Sequence, residues 1–298
     1  MALHMLIQLL GTGNPSPSLQ RMSSGYLVKI GDDVVLFDHG PGAYHRLLEA
    51  GYGPGDPTHL FLTHLHYDHC LDYVRLVLTR WDQGAGKTPE LKVYGPPPLE
   101  AMSRALFSKE LGAFAPDLHA RTEHRLSLDI YEERGGQLPR AWPAPEVREI
   151  KSNEVVRGGS WTITTTSAIH AQPQLQCYAY RLDCDEGSFV YSGDSGPSRR
   201  VAELAQDCDV LVHMCAYESG KELSEVHAKT CCGHLELAQL AAEAKVKTLV
   251  LSHFNLKMDR PGVRERLLAE MARTYQGTII WGEDLMKIPL TRPVVQPR

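Results

Sequence analysis

The apolar positions of the chain fall into short runs broken by glycine. LIQLL (6–10), YLVKI (26–30), DVVLF (33–37) and HLFLT (59–63) are rich in large or β-branched apolar residues, and Gly11, Gly13, Gly31 and Gly40 mark their ends. These read as strands. AYHRLLEAG reads as a helix closed by Gly51, and KVY before GPPP as a strand leading to a helix near 98–107. Residues 108–148 lose this regularity: Gly135, Gly136, Pro139, Pro143 and Pro145 stand among many charges, which predicts an irregular surface insertion or lid. Beyond it, WTITTT, CYAYRL and SFVYSG predict strands. Alternating units follow: DVLVHM strand, HLELAQLAAEA helix, TLVLSH strand, VRERLLAEMART helix, GTIIWG strand. With no fixed repeat, two sheets covered by helices is the architecture this order implies.

A chain of 298 residues, 43% of them hydrophobic, can bury a large core as one domain or two fused halves, which excludes disordered and fibrous classes. The formal charge of −5 provides no global attraction to nucleic acid and favours small-molecule work. No stretch approaches the roughly 18–20 unbroken apolar residues of a membrane span, and MALHMLIQLL lacks the basic start of a secretory signal. A soluble, cytoplasmic protein without a membrane partner is therefore expected. The seven cysteines are odd in number and show no CxxC spacing, so they read as reduced thiols rather than a disulfide framework or zinc knuckle.

THLHYDHC (63–70) changes the picture. It places His64, His66, Asp68 and His69 directly after an apolar strand, at the carboxyl end where open α/β sheets hold their ligands. His64 and His66, two apart on an extended segment, share one face and can bind one ion, while Asp68 and His69 begin the next turn and can hold a second. Imidazole and carboxylate without thiolate suit zinc and accept manganese or iron. The motif supplies too few groups for two sites, and others occupy the same strand-then-loop context: His170 after WTITTTSAI, Asp194 after FVYSG and His253 after TLVLS.

At this point the chain resembles the metallo-β-lactamase superfamily, in its ribonuclease Z-like and phosphodiesterase branch. The resemblance is carried in order by LGTGNPSPS with MSSGYLV, VVLFDHGPG, THLHYDH, SAIHAQP, SGDSG, GHLELAQLAAEA and LSHFN. It implies a single-domain, four-layer αββα sandwich over 1–298. It also implies that His64, His66 and His170 bind one metal, that Asp68, His69 and His253 bind the other, and that Asp194 bridges them. Two divalent ions, zinc first with Mn²⁺ or Fe²⁺ as alternatives, would share an acidified water and present hydroxide to an ester, amide or phosphate centre. Asp68 is then catalytic as well as a ligand. Asp38 is expected to orient a ligand or the water, and His39 beside it to point away from the cleft.

His234 stands where ribonuclease Z relatives carry a histidine that contacts phosphate or assists the leaving oxygen, so it is the expected proton donor. His213 ends an apolar strand as the corresponding family histidine does, and is expected beside the substrate or behind the ligands. The family's next residue is glutamate and here it is Met214, with Glu218 as a candidate replacement. Enzymes of that type that process transfer RNA usually carry a long basic arm, between the third histidine and the bridging aspartate or elsewhere in the chain, and residues 171–193, all that separates His170 from Asp194, are too few for one there. Arg121, His124 and Arg125 in the insertion are candidates to cap the cleft over an anionic substrate. The expected activity is hydrolysis of a small phosphodiester, ester or lactone; tRNA 3′ processing, a redox member of the fold and a non-catalytic scaffold are the alternatives. A small-molecule partner is expected, with nucleic acid disfavoured and a homodimer left open. LGTGNP lacks the spacing of a nucleotide-binding loop, KTCCGH is not a structural zinc site, and RWDQGAGK is a turn after a helix over 71–80.

Overall fold

A computed structural model describes residues 5–290. Two seven-stranded sheets divide the chain nearly by sequence halves. The first takes β1 (Leu6–Gly11), β2 (Gly25–Ile30), β3 (Asp33–His39), β4 (His59–Phe61), β5 (Lys92–Gly95) and β6 (Glu146–Glu149) in order. The second runs from β7 (Val155–Arg157) through β8 (Trp161–Ser167), β9 (Tyr178–Cys184), β10 (Gly187–Tyr191), β11 (Val210–Met214) and β12 (Thr248–Ser252) to β13 (Thr278–Trp281). A short β14 (Lys287–Ile288) returns to pair with β1. Each sheet is antiparallel at one end and parallel at the other: β3, β4, β5 and β6 are parallel neighbours, and so are β10, β11, β12 and β13.

Side-chain alternation explains the layering. In β3, Val35 and Phe37 face the other sheet while Val34 and Leu36 face helices; in β11, Val210 and Val212 face inward and Leu211 outward. Strands covered on both faces read as continuous apolar runs, which is the pattern seen in the sequence. The space between sheets is filled by aromatic rings, with Phe37 5.7 Å from Phe61 and 5.2 Å from Phe189. The outer face of the first sheet is covered by α1 (Ala43–Glu49), α2 (Tyr67–Gly84) and α3 (Leu99–Phe107), that of the second by α6 (Arg199–Leu204), α8 (His234–Glu243) and α9 (Val263–Met271). The result is the expected αββα sandwich.

The insertion differs from expectation. Residues 108–148 are not irregular throughout, because α4 (Ala115–Glu123) and α5 (Arg125–Glu133) occupy its first half. The prolines and glycines that suggested a loop all follow α5. Asp82 on α2 anchors the segment through Arg121, Arg134 and Arg140 at 3.0, 3.3 and 2.9 Å, and the Arg140 guanidinium lies 3.9 Å over the Trp81 ring. The remaining helix, α7 (Glu225–Thr230), lies within the loop joining β11 to α8. Among the described residues no helix is long and apolar enough to cross a membrane, and all seven cysteines are free.

Candidate metal centre

The chain leaves β4 extended and stays so through His66, which caps α2 with φ −65° and ψ 144° before Tyr67 turns helical. This break in conformation places two histidines on a strand-like segment and Asp68 and His69 on the first helical turn. A carboxylate there is favoured by the unpaired N–H groups of a helix start. Gly40, just past β3, crosses so close that a Cβ on it would sit 1.8 Å from the Asp68 carbonyl oxygen, so only glycine lets the two segments meet.

Asp38 organises the first-half histidines. Its backbone is left-handed (φ 55°), a conformation aspartate tolerates better than most residues, and its buried carboxylate accepts four hydrogen bonds. The Thr63 N–H (2.7 Å), Thr63 Oγ1 (2.8 Å), His69 Nδ1 (2.7 Å) and Tyr191 Oη (2.8 Å) all donate to it. Since Thr63 Oγ1 gives its proton to Asp38, it accepts from His64 Nδ1 at 3.0 Å. Both rings therefore turn Nε2 toward the cleft. In the second half, the Thr230 carbonyl accepts from His170 Nδ1 at 3.0 Å and likewise frees Nε2. His253, immediately after β12, is also left-handed (φ 58°), and its following residue ties the two sheets together through Phe254 N–H to the Thr12 carbonyl (2.9 Å).

Seven side chains converge in two groups. His64, His66, His170 and Asp194 offer atoms within 4.8 Å of one another, and so do Asp68, His69 and His253. Asp194 faces both: Oδ2 lies 3.5 Å from His170 Nε2, while Oδ1 lies 3.5 Å from His69 Nε2 and 3.2 Å from His253 Nε2. These residues fit divalent ions. His64 Nε2 and His66 Nδ1 face each other at 2.9 Å and the Nε2 atoms of His69 and His253 at 3.3 Å, an approach that ring nitrogens accept when a cation or proton lies between them. His170 Nε2 and Asp194 Oδ1 are buried without a hydrogen bond. The electrostatics agree. Burial would raise the Asp194 carboxyl, but His253 and His69 hold it well below the usual carboxylate range. Burial likewise opposes a charged His69, yet Asp194 and Asp38 override it and raise that ring well above the ordinary histidine value. His64, dominated by burial and then by His69, is pushed well below. The same field that retains a proton on His69 attracts a cation.

The groups open onto a cleft of about 650 Å³ whose walls include Met214, Tyr217, Leu223, His227, Asn255 and Lys257. Met214, where the family pattern has glutamate, lies in this lining with Sδ 3.0 Å from the Ser195 N–H. Glu218 also lines the cleft, but its carboxylate is taken by Lys221 at 2.7 Å and by Arg266. His213 is fully buried, donates Nδ1–H to the Met214 carbonyl at 2.9 Å and is outside the cleft lining; burial is the main cause that lowers it to about 4. His234 is not brought to the metal groups. Its Nδ1 accepts the Ser219 N–H at 3.0 Å, which leaves Nε2–H to donate to Glu270 at 2.8 Å. Arg121, His124 and Arg125 do not cap the cleft either: Arg121 is paired with Asp82 and Asp117, and Arg125 with Asp129. His39 points away from the metal groups, edge-on to Tyr44 at 6.4 Å. His227 and Lys257 are cleft residues that sequence reasoning missed.

Two sheets sandwiched by helices, with histidines and aspartates gathered where their strand ends meet, define a metal-dependent hydrolase of the metallo-β-lactamase superfamily in its ribonuclease Z-like branch. Within it, the chain belongs to the family of the anti-Pycsar protein Apyc1, whose model matches residues 5–273. The chain is 29% identical over 293 residues to the protein named ribonuclease Z of Mycobacterium avium (strain 104), covering 96% of this chain and 99% of that one. Among solved structures, the metallo-β-lactamase fold protein YhfI from Bacillus subtilis is similar with a TM-score of 0.74 at 21% identity, covering 96% of this chain and 99% of its own. The short form of human tRNase Z gives 0.66 at 19% identity over 96% and 100% of the two chains. At these identities the solved structures speak for the fold.

Proposed function

We propose that the protein hydrolyses a compact phosphodiester, with His64, His66 and His170 holding one divalent ion, Asp68, His69 and His253 a second, and Asp194 bridging them. The observation that carries this is the split of the Asp194 carboxylate, one oxygen toward each group, at the base of a cleft sized for a small molecule. Zinc is the ion the donors favour. When bound, such a pair supplies Lewis acidity, acidifying water and polarising the phosphoryl centre.

The chain's own residues supply the rest. Asp38 fixes the His69 ring directly and the His64 ring through Thr63, while the Thr230 carbonyl fixes His170, so the ligands are set before anything binds. The mostly apolar lining excludes water from the remainder of the substrate. Lys257, with no ion pair among the described residues, gives the cleft a cation for an anionic substrate, which favours a phosphodiester over a neutral ester or lactone. Free cysteines suit a reducing compartment, and we place the protein in the cytoplasm.

A relative named ribonuclease Z supports a second reading, tRNA 3′ processing. One experiment separates the two. Metal-loaded protein is assayed on bis(4-nitrophenyl) phosphate, a carboxylic ester, a lactone and an end-labelled precursor tRNA, with His64→Ala as control. Diester turnover lost in the control, with the precursor intact, is expected. Site-specific cleavage of the precursor that disappears in His64→Ala would replace the small-substrate reading with the ribonuclease one.

A further inference from the structure

We infer that His227 is a substrate-binding hydrogen-bond donor that acts as a neutral imidazole, presenting Nε2–H to a charged phosphoryl oxygen in the cleft; the assignment rests on the phosphodiester reading above.

Three observations hold this ring in place. His227 lines the same cleft as His66, Asp68, His170 and Asp194. Its helix cannot slide away from them: the Thr230 carbonyl is engaged by His170, and Gly196, two residues past Asp194, lies so close to α7 that a Cβ would be 2.0 Å from the Lys229 carbonyl oxygen. The residue itself is fastened at both ends, with Ser224 Oγ capping its N–H at 3.2 Å and the Tyr217 ring 4.6 Å from its own.

The tautomer follows from one further bond. The Leu223 N–H donates to His227 Nδ1 at 3.1 Å. A backbone N–H only donates, so Nδ1 carries no proton, the ring is neutral, and its single proton sits on Nε2. That atom has no partner among the described residues. With Nδ1 held by the Leu223 N–H, the atom left for the cleft is an N–H donor. It suits charge stabilisation rather than acid catalysis. In the reaction, a water oxygen joins phosphorus and gives up one proton to solvent, the bond to the leaving oxygen breaks with its electron pair on that oxygen, and solvent returns a proton to neutralise it. The Nε2–H stays on His227 and strengthens its bond to the phosphoryl oxygen as charge develops. His234 has the same tautomer but spends its Nε2–H on Glu270.

The test combines a spectroscopic and a kinetic readout on the metal-loaded full chain. In histidine-¹⁵N-labelled protein, His227 should show the Nε2–H neutral tautomer at pH 7, and inorganic phosphate should shift its Nε2 resonance while leaving that of His234 unmoved. His227→Phe, which keeps a ring against Tyr217, should lower kcat/KM on bis(4-nitrophenyl) phosphate by about 10²-fold at unchanged metal content. His227→Gln, whose amide can donate from a similar position, should recover most of that loss with the wild-type pH profile. An imidazolium signature at pH 7, no phosphate response at His227, or a His227→Phe loss under about threefold overturns the assignment. If phosphate shifts His227 but no diester is turned over, the phosphodiester reading falls and the donor assignment stands.

Discussion

The cleft has two walls built on different terms. One is made of strand ends, where Asp38, His64, His69 and Asp194 are at most 4% exposed and each ring has a partner that orients it. The other is the loop of residues 215–233, where Leu223 and Val226 are 83% and 67% exposed and the span between its buried ends, Cys215 and Cys232, is fastened by ion pairs and hydrogen bonds. A buried wall whose rings are held by partners keeps its side chains in place against the repulsion among their own like groups. A wall hung on a loop can differ between relatives without disturbing that chemistry. Substitutions in the first wall should therefore remove metal and turnover together, and those in the second should change substrate handling or stability with metal retained.

The largest effect is expected at Asp194, the one side chain that serves both groups. Asp194→Ala should bring diester turnover to the uncatalysed background and lower the metal content of the purified protein, measured by elemental analysis. Full metal content in this variant would break the distinction between the walls, since the bridge would then be dispensable to the site.

Asp38→Asn comes next. The amide keeps the shape, but its nitrogen donates where the carboxylate accepted, so it cannot satisfy Thr63, His69 and Tyr191 together. A loss of roughly 10–100-fold in metal affinity is expected, as for other groups that hold a metal-bound histidine. Competition with a chromophoric chelator measures it. Unchanged affinity would mean that the His69 ring is oriented by packing alone.

Behind the second wall, where His234 holds Ser219 of the loop, His234→Ala should leave metal in place. It strands the Ser219 N–H and frees Glu270, and it should cost roughly 1–2 kcal/mol of stability, with KM rising more than kcat falls as the loop loosens. Thermal unfolding and kinetics on an activated and an unactivated diester check this. A kcat loss on the order of 10²-fold confined to the poor leaving group would instead restore the proton-donor role expected from sequence.

The two walls also differed in how far they could be read in advance. The strand-end histidines and aspartates that the fold gathers were legible because the expected chemistry demands particular residue types, and because an apolar run followed by glycine or histidine marks a strand end without tertiary information. Asp194 and His253 stood out for the same reason. The place of His234 in GHLELAQ says nothing of Glu270, which reaches it from another helix. His227 was missed although a signal existed, since Ser224 three residues before it is a helix cap that would have put it on a first turn. The helices α4 and α5 were hidden by composition averaged across the insertion, in which Pro116 at the start of α4 marks a helix beginning and the later prolines mark its connection back to the sheet.

The smallest effect contrasts neighbours within the first wall. Asp38 accepts four hydrogen bonds, whereas His39 beside it is fully buried with neither ring nitrogen bonded. It packs against Tyr44 of α1, and Arg75 of α2 is the charge that acts on it. Burial, assisted by Arg75, lowers its pKa from about 6.5 to about 3. The unfolded chain therefore takes up a proton below about pH 6.5 that the folded chain refuses down to about 3, and stability falls as the pH drops through that window. The slope is at most about 1.4 kcal/mol per pH unit for one such group. His39→Leu removes the titration and two unbonded polar atoms from a dry site, so its stability should match or exceed that of the wild type at pH 7.5, and its advantage should grow steadily toward pH 5. Unfolding temperatures of both proteins across that range, taken as a difference so that acid effects on the metal ligands cancel, measure the trend. A difference that stays flat would mean that His39 finds a proton partner in the folded protein, and the contrast with Asp38 would lose its basis.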